Sequence, residues 1–407
     1  MRDGCALTWV RRAGAYVNGT PAVRPPGKAI ADNGRPAAAL PRVTLHDEPL
    51  KALMLPFDSG VLPWPAQGDI AFLRARDGWP LRQYPLRHLR CEQGFKPLAD
   101  DLREAGLDVR AELDGAADAS LVLVLPPRQR DEAQALLARA VAMAAPGARV
   151  VAAVANDEGA KSREKDLQQL AGLDGTLTKF HCRVFWTPPL SGAHDAVLQE
   201  RWQQADAPRP ILDGRFRSRP GVFAWDRIDP ASALLAAHLP GDLAGRGADL
   251  GAGWGYLSAE VLARCPGVTA LDLYEAEARA IELARGNLAA QAGRAALFFH
   301  WHDVTAGLAE GGYDFIVSNP PFHAHDRGDR PELGQRFIEV AAQSLRRGGR
   351  LLLVANRHLP YEATLAQAFA SQRVLAEGGG FKVIEAVKGE VAGGVVKADA
   401  RRSVADE

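Results

Sequence analysis

Two short segments of this sequence combine residue types that can do chemistry. The first, residues 248–255, reads Ala-Asp-Leu-Gly-Ala-Gly-Trp-Gly and follows the start of an apolar strand. The second, residues 318–322, reads Ser-Asn-Pro-Pro-Phe and follows another apolar strand, residues 313–318. Glycines let the backbone turn tightly and approach a ligand, while prolines fix the direction of neighbouring carbonyl groups. Together the two segments predict a binding site for a small molecule next to a binding site for an amine.

The first segment fits S-adenosylmethionine better than a nicotinamide dinucleotide. A dinucleotide site uses Gly-x-Gly-x-x-Gly, which would need glycine where this chain has Tyr256. Gly251, Gly253 and Gly255 form Gly-x-Gly-x-Gly instead. The helix that follows directs free N–H groups at the methionine carboxylate. Asp249 is predicted to face the methionine ammonium group, directly or through water.

Two further carboxylates are candidates for the nucleoside part of the cofactor. Glu275 ends the predicted second strand, where its carboxylate can accept both ribose hydroxyls. Asp272 is an alternative, and the spacing of the helix after Glu275 favours Glu275. Asp303 follows the third strand and can accept from the adenine amino group; the alternative is a solvated turn aspartate. No metal is expected, because His300, His302 and Asp303 share one strand end, where ligand triads rarely form.

The second segment is suited to methyl transfer onto an exocyclic amine such as guanine N2 or adenine N6. Such an amine is a poor nucleophile because its lone pair is delocalised into the ring. The Asn319 side-chain oxygen and the Pro320 carbonyl can accept its hydrogens while Pro321 holds that carbonyl in place. Phe322 can stack on the base. The alternative is a plain loop or a cis-proline turn. Residues 323–326 either line the base pocket or form a polar loop.

These residues need a scaffold that brings strand ends together. Strands are predicted near 246–251, 268–274, 295–300, 313–318, 349–355 and 381–387, with helices between them. Asp229 and Pro230 predict an N-cap and first turn of a helix through Leu239. Alternation of strand and helix predicts an α/β doubly wound, mainly parallel sheet. In such a sheet the ligand lies beyond the carboxyl ends of the strands.

The first half repeats this order of elements without its chemistry. Residues 121–127 read as an apolar strand followed by two prolines, and residues 147–156 match residues 348–356 near the C-terminus. Leu125 stands where Asn319 stands, and the strand at residues 69–73 has no glycine-rich turn after it. We therefore expect two tandem Rossmann-like domains, with a degenerate N-terminal copy. Chance similarity between two αβ units is the alternative.

Length and composition agree with two globular domains. The chain has 407 residues, a formal net charge of zero and 47% hydrophobic residues. It lacks an apolar run of the ~18 residues that a membrane span needs, so no membrane partner is expected. Four well-separated cysteines without a Cys-x-x-Cys pair indicate free thiols in a reducing cytosol. Because the net charge is zero, attraction to RNA would have to be local.

Four sets of residues resemble one enzyme family. They are Asn319-Pro320-Pro321-Phe322-His323, Val354-Ala355-Asn356 with Leu359-Pro360-Tyr361, Phe381-Lys382-Val383 and Pro220-Gly221-Val222-Phe223. Over residues 45–388 the chain resembles the bacterial ribosomal RNA guanine-N2 methyltransferases, both RsmC-like (small subunit) and RlmG-like (large subunit). The resemblance implies tandem class I methyltransferase domains, with residues 319–322 holding a target guanine. Arg357-His358 resembles the large-subunit branch, and Leu359-Pro360-Tyr361 the small-subunit branch.

The sequence therefore predicts a cytoplasmic, S-adenosylmethionine-dependent enzyme that methylates guanine N2 in ribosomal RNA and releases S-adenosylhomocysteine. Small-subunit RNA is favoured over large-subunit RNA, and a monomer is expected. The predicted regions are 1–43 (disordered extension), 44–200 (degenerate domain), 201–228 (an arginine-rich linker that guides RNA or is merely solvated), 229–390 (catalytic domain) and 391–407 (loose tail). The alternatives are methylation of adenine N6 or protein glutamine, or a non-catalytic RNA-binding or ribosome-assembly protein.

Overall fold

The computed structural model describes residues 47–115, 117–192, 194–321 and 331–389. The predicted N-terminal extension and the C-terminal tail lie outside them. In the first half the helices are α1 (Glu48–Asp58), α2 (Trp79–Arg82), α3 (Lys96–Glu104), α4 (Arg130–Met143), α5 (Ala160–Ala171) and α6 (Ala196–Ala205). The strands are β1 (Ile70–Leu73), β2 (Leu89–Glu92), β3 (Asp108–Arg110), β4 (Ala119–Val124), β5 (Ala144–Ala155), β6 (Gly175–Lys179) and β7 (Cys182–Trp186).

A short hairpin then leads into the second half. Its strands are β8 (Arg209–Ile211) and β9 (Phe216–Ser218). The helices that follow are α7 (Pro230–Ala237), α8 (Tyr256–Arg264), α9 (Ala278–Asn287), α10 (Pro331–Ser344) and α11 (Glu362–Ala368). The strands are β10 (Ala244–Leu250), β11 (Gly267–Glu275), β12 (Ala296–Trp301), β13 (Tyr313–Ser318), β14 (Leu345–Asn356), β15 (Ser371–Gly378) and β16 (Phe381–Val387).

The two halves have the same sheet topology. The strand order is β3-β2-β1-β4-β5-β7-β6 in the first sheet and β12-β11-β10-β13-β14-β16-β15 in the second. In each sheet the first five strands of this order pair in parallel. The sixth strand, β7 or β16, pairs antiparallel with both of its neighbours. Equal order and direction across fourteen strands is what duplication of one domain leaves behind. The predicted fold of two tandem doubly wound Rossmann-like domains is confirmed.

The central strands of each sheet are buried on both faces, as parallel strands usually are. One apolar cluster packs on each face of each sheet, and the central strands β4 and β13 are apolar almost throughout. Helix α6 crosses the predicted domain boundary at residue 200, because its residues Leu198 and Trp202 pack into the apolar core of the first domain. The helix that opens at Asp229 ends at Ala237, two residues before the predicted end. The boundaries of the predicted regions otherwise stay predictions.

The first domain keeps the frame of a ligand site but fills it with charged side chains. Arg74, directly after β1, has a positive φ of 55° in the position that Gly251 takes after β10. Glu92, the last residue of β2, accepts two hydrogen bonds from Arg139, at 3.0 and 2.6 Å. Arg279 of the second domain contacts Glu132 at 2.8 Å in the same cavity. Ion pairs therefore occupy the place where a cofactor would lie.

The domains also share backbone hydrogen bonds next to the turn that follows β11. The Lys96 N–H donates to the Ala276 carbonyl at 2.8 Å, and the Ala278 N–H donates to the Gly94 carbonyl at 2.9 Å. The Trp301 indole N–H donates to both the Gly94 and Ala276 carbonyls, each at 2.9 Å. The first domain thus holds the turn that begins one residue after Glu275.

Candidate active site

The fold brings the two predicted segments side by side at the carboxyl end of the second sheet. Leu250, the last residue of β10, pairs with Ser318, the last residue of β13. The Ser318 hydroxyl donates to the Leu250 carbonyl at 2.8 Å. A Cβ atom built on Gly251 would lie 3.7 Å from the Asn319 carbonyl oxygen. The glycine turn and the Asn-Pro-Pro turn are therefore neighbours.

The glycine turn depends on backbone conformations that other residues rarely adopt. Gly251, Gly253 and Gly255 have φ values of 79°, 55° and 92°. A Cβ atom on Gly255 would lie 3.2 Å from the Ala284 Cβ, so this glycine also lets α8 pack on α9. A Cβ atom on Gly253 would meet no described atom within 4 Å, because that position faces open space. A ligand can thus approach the backbone at Gly253.

Glu275 lies beside this turn and fixes it. Its Oε2 accepts from the Gly253 N–H and its Oε1 accepts from the Glu277 N–H, both at 2.8 Å. Burial raises the pKa of Glu275, and the backbone donors partly oppose that shift. The position is consistent with a ribose acceptor, and that role stays a prediction.

Asp249 is completely buried behind the turn. Its Oδ2 accepts from the Ser258 hydroxyl of α8 at 2.7 Å. Its Oδ1 has no hydrogen-bond partner among the residues that the structure describes. Burial raises the pKa of Asp249 to about 7, and the Ser258 hydrogen bond opposes the shift. A buried acceptor of this kind usually has a partner, and a ligand ammonium group would supply one.

The other carboxylates near the strand ends have protein partners. Asp272 accepts from Arg246 at 2.9 Å and contacts the His300 Nε2 at 2.9 Å, so its carboxylate is used within the sheet. Asp303 caps a short 3-10 helix, its Oδ1 accepting from the Thr305 N–H at 2.9 Å. Capping with Oδ1 leaves Asp303 a second oxygen, so an adenine contact stays a prediction. Over the described ranges, no group of three metal-ligating side chains comes together.

Asn319, the residue predicted to face the methyl acceptor, is held by helix α7. Its Nδ2 donates to the Asp229 carboxylate at 2.9 Å and to the Ser232 hydroxyl at 2.8 Å. Its Oδ1 is buried and has no hydrogen-bond partner within the described part of the chain. Pro320 is buried and Pro321 is exposed. The amide therefore keeps an acceptor atom for a donor outside the protein.

Phe322 and residues 323–326, predicted beside the target base, lie outside the described residues. Among the described residues, one aromatic side chain at the site was not predicted there. Phe223 is 68% exposed and lines the same cavity as Asn319. Asp229 and Ser232 were also not assigned there, because their sequence pattern indicates only a helix start. The cavity is lined by Phe223, Ala224, Asp229, Ser232, Gly251, Ala252, Gly253, Trp254, Tyr256, Leu257 and Asn319.

These residues fit an S-adenosylmethionine ligand. The cavity contains the open backbone at Gly253 and the Asn319 side chain, whose Oδ1 is buried without a partner in the described residues. A second buried acceptor, Asp249 Oδ1, belongs to the strand residue two positions before Gly251. The Asp249 oxygen suits an ammonium group and the Asn319 oxygen suits an amine. Three glycines at the start of α8 leave its N-terminal N–H groups accessible to an anion.

Comparison with known proteins points the same way. Residues 213–385 match the model of the methyltransferase small domain family. The ribosomal RNA small subunit methyltransferase C of Cronobacter sakazakii is 31% identical over 300 residues, which are 72% of this chain and 82% of that protein. The protein of the same name from Salmonella typhimurium is 30% identical over 290 residues, 70% of this chain and 82% of its own.

A solved structure also resembles the whole described fold. It is the Thermus thermophilus 16S rRNA N2 G1207 methyltransferase (RsmC) in complex with AdoMet and guanosine. Its TM-score with this chain is 0.69 at 25% sequence identity, covering 84% of this chain and 92% of that structure. With identity, coverage and two matching domains in agreement, the chain belongs to the ribosomal RNA small subunit methyltransferase C family of class I methyltransferases.

Proposed function

We propose that this protein transfers a methyl group from S-adenosylmethionine to the exocyclic N2 amine of a guanine in ribosomal RNA. The observation that carries the proposal is the buried Asn319 oxygen, left open beside the glycine turn. The relatives named for small-subunit RNA favour that RNA as the substrate over large-subunit RNA. The related structure that holds AdoMet and guanosine supports both the cofactor and the base.

The residues of the glycine turn would bind and orient the cofactor, which supplies a methyl group on a positively charged sulfur and leaves as S-adenosylhomocysteine. Asp249 would contact the methionine ammonium group through Oδ1. The N–H groups at the start of α8 would hold the carboxylate. Glu275 would accept from the ribose hydroxyls and Asp303 from the adenine amino group.

The acceptor side would make the guanine amine a better nucleophile. Asn319 Oδ1 and the Pro320 carbonyl would accept hydrogen bonds from the two amine hydrogens, so that the nitrogen lone pair can leave conjugation with the ring. After methyl transfer, one of these protons would pass to solvent. Acceptors held in place before the reaction need no reorganisation during it. Phe322 would stack on the base. Proximity and in-line alignment would supply most of the remaining rate gain.

The partner would be ribosomal RNA, either free or within a ribosomal subunit. The target base must leave its stack, which costs a few kcal/mol unless it is already unpaired. Four linker arginines contact acidic residues of this chain: Arg209 with Asp131, Arg215 with Glu260, Arg219 with Asp206 and Arg227 with Asp226. These pairs favour a structural role for the linker over an RNA-guiding arm.

We expect a cytoplasmic monomer. Cys91, Cys182 and Cys265 are buried free thiols, as a reducing compartment allows. The described residues contain no helix that is both long and apolar enough to cross a membrane. Adenine N6, a protein glutamine amide and a non-catalytic role in ribosome assembly remain the competing assignments.

One assay separates these assignments. Labelled S-adenosylmethionine is offered to unmodified small subunits, large subunits, naked ribosomal RNA and DNA, and the nucleosides are then separated by chromatography. We expect label in N2-methylguanosine from small-subunit RNA. The same nucleoside from large-subunit RNA alone would reassign the substrate. Label in N6-methyladenine, or in no nucleic acid, would overturn the proposal.

A further inference from the structure

The start of helix α7 contacts the side chain that would receive the methyl acceptor. Asp229 is the N-cap of α7, and its Oδ2 accepts from the Ser232 N–H at 2.8 Å. The same oxygen accepts from the Asn319 Nδ2 at 2.9 Å. The Ser232 hydroxyl lies 2.8 Å from that Nδ2 as well. Both partners of the amide thus come from one turn of one helix.

These contacts decide which way the Asn319 amide faces. An ionised carboxylate has only acceptor atoms, so the amide group must turn its NH₂ and not its oxygen toward Asp229. The Ser232 hydroxyl then accepts the second amide hydrogen while it remains free to donate elsewhere. With both amide hydrogens used, Oδ1 is the amide atom left without a partner in the described residues, on a side chain that lines the cavity.

We infer that Asp229 and Ser232 are positioning residues that lock the Asn319 amide with its oxygen toward the methyl acceptor. This inference rests on the proposed function and explains how the site selects its substrate. The Asn319 oxygen binds an amino group, which donates hydrogen bonds, and does not bind a carbonyl group, which cannot donate. If the amide were free to flip, its NH₂ would face the acceptor amine in part of the molecules. Two donors facing each other would then oppose productive binding.

The charge and burial of the pair suit this role. Ser232 is 8% exposed, so water competes little with its contact to Asn319. Asp229 and Asn319 are half-buried and lie 90 residues apart in sequence. A helix N-cap needs only one oxygen, which serine supplies as well as aspartate. The contact to Asn319 is therefore additional to capping, and the two can be separated by substitution.

The test uses Asp229→Ser, which keeps a cap but is too short to reach Asn319, and Ser232→Ala, which keeps the helix. A cap-only change, Asp195→Ser at the start of α6, serves as the matched control. We expect each site variant to lower kcat for methyl transfer about tenfold, with cofactor Kd and Tm close to wild type. The control should change neither kcat nor cofactor Kd. Asp229→Asn, which keeps an oxygen in place, should retain more of kcat than Asp229→Ser.

A mutant cycle distinguishes positioning from general damage. In an Asn319→Ala background, Asp229→Ser and Ser232→Ala should cause little further loss, because there is no amide left to orient. Full additivity of the losses would overturn the inference. So would a fall in Tm that accounts for the lost activity.

A second measurement does not depend on activity. The Asn319 side-chain NH₂ resonances, assigned by their loss in Asn319→Ala, should shift and exchange faster with solvent in Asp229→Ser and Ser232→Ala. Unchanged resonances would overturn the inference even in an active enzyme. If the wild type methylates no guanine but these resonances shift, the proposed function fails while the amide lock stands.

Discussion

At the scale of single residues, two buried oxygens at this site lack a hydrogen-bond partner within the described residues. Leaving a buried acceptor without a partner costs about 1–3 kcal/mol. Asp249 Oδ1 and Asn319 Oδ1 are both in this state over the described part of the chain. Asp249 precedes the glycine turn, and Asn319 lies beside Gly251. A fold that keeps such atoms loses stability, and a ligand that donates to them restores it.

The first residue-scale prediction concerns Asn319→Ala. Removal of the acceptor oxygen should lower kcat by roughly 10²–10³, the usual effect of losing one preorganised polar contact to the transition state. The Kd for S-adenosylmethionine should stay within about twofold, since the methyl acceptor is bound apart from the cofactor. Single-turnover kinetics and calorimetry measure the two quantities. Equal loss of both would remove Asn319 from its assigned role.

The second concerns Asp249 and pH. Its pKa of about 7 exceeds the ~3.9 of an unfolded aspartate. The native state therefore binds more protons between pH 4 and 7, and the free energy of unfolding falls as the pH rises through that window. Without cofactor, Asp249→Asn should be more stable than wild type above pH 7. Chemical denaturation at pH 5 and 8 gives this difference, which should be smaller at pH 5 than at pH 8.

The same pKa predicts how cofactor affinity depends on pH. An ammonium ligand favours the ionised carboxylate, so affinity should rise roughly tenfold between pH 6 and 8. Asp249→Asn provides the correction for titration of the ligand itself. A wild-type affinity that follows the variant at every pH would show that Asp249 does not contact the ammonium group.

Residue-scale prediction from sequence had a definite limit here. Asn319 could be assigned because its chemistry is local to the Asn-Pro-Pro turn. Asp229 and Ser232 could not, since they lie 90 and 87 residues from Asn319 and their pattern signals only a helix cap. Contacts of that separation depend on the sheet that brings α7 over the end of β13.

At the scale of elements, two glycines of the β10–α8 turn have different roles: one allows helix packing and the other leaves space beside the backbone. Gly255 packs against Ala284 of α9, whereas Gly253 faces open space. Both have positive φ values, so any other residue adds backbone strain of roughly 1–2 kcal/mol. The cost of a methyl group should therefore differ between the two positions.

This difference gives an element-scale prediction. Gly255→Ala should lower the free energy of unfolding by about 2 kcal/mol or more, because strain and crowding add. Gly253→Ala should lose only about 1 kcal/mol of stability from strain, yet weaken cofactor binding at least tenfold, since its methyl group occupies the ligand's space. Thermal unfolding and calorimetry supply both values. Normal cofactor binding by Gly253→Ala would place the ligand elsewhere.

Strands could be predicted from the sequence where burial requires a continuous run of apolar residues. Strands 313–318 and 381–387 match the predicted ranges because both are apolar runs between turn residues. Strand β15, Ser371–Gly378, was missed because most of its side chains are exposed and it lies at the sheet edge, where no continuous apolar pattern is needed. Its place in the fold follows from pairing with β16, which a local pattern does not contain.

At the scale of the whole molecule, the first domain contacts the turn of the second domain that follows Glu275. Residues 94–96 and the Trp301 indole together hold the backbone at Ala276 and Ala278. Lys96 and Arg103 of the first domain also lie over the Trp301 ring, at 5.7 and 5.1 Å from its centroid. The turn that places Glu275 therefore has support from both domains.

Trp301→Phe tests this support. An aromatic ring is kept, although the phenyl ring is smaller than the indole, and the N–H is lost, so Tm should fall by a few degrees for a loss of about 1 kcal/mol. Cofactor Kd should rise about threefold to tenfold as the Glu275 turn loosens. Trp79→Phe, at a side chain that is 75% exposed, is the control. A normal Kd in Trp301→Phe would mean that the junction supports the fold but not the ligand.

The Trp301 contact has a consequence for how the enzyme is made. The Trp301 indole and the Gly94 carbonyl, which it contacts, are 207 residues apart in sequence. Closing so long a loop comes late in folding, since distant contacts must wait for both ends to be ordered. During synthesis, the turn after Glu275 would stay incomplete until β12, which ends at Trp301, had left the ribosome. In refolding, cofactor binding should therefore recover more slowly than the far-UV circular dichroism of the helices. The rate of recovered binding would report when the two domains complete their contact.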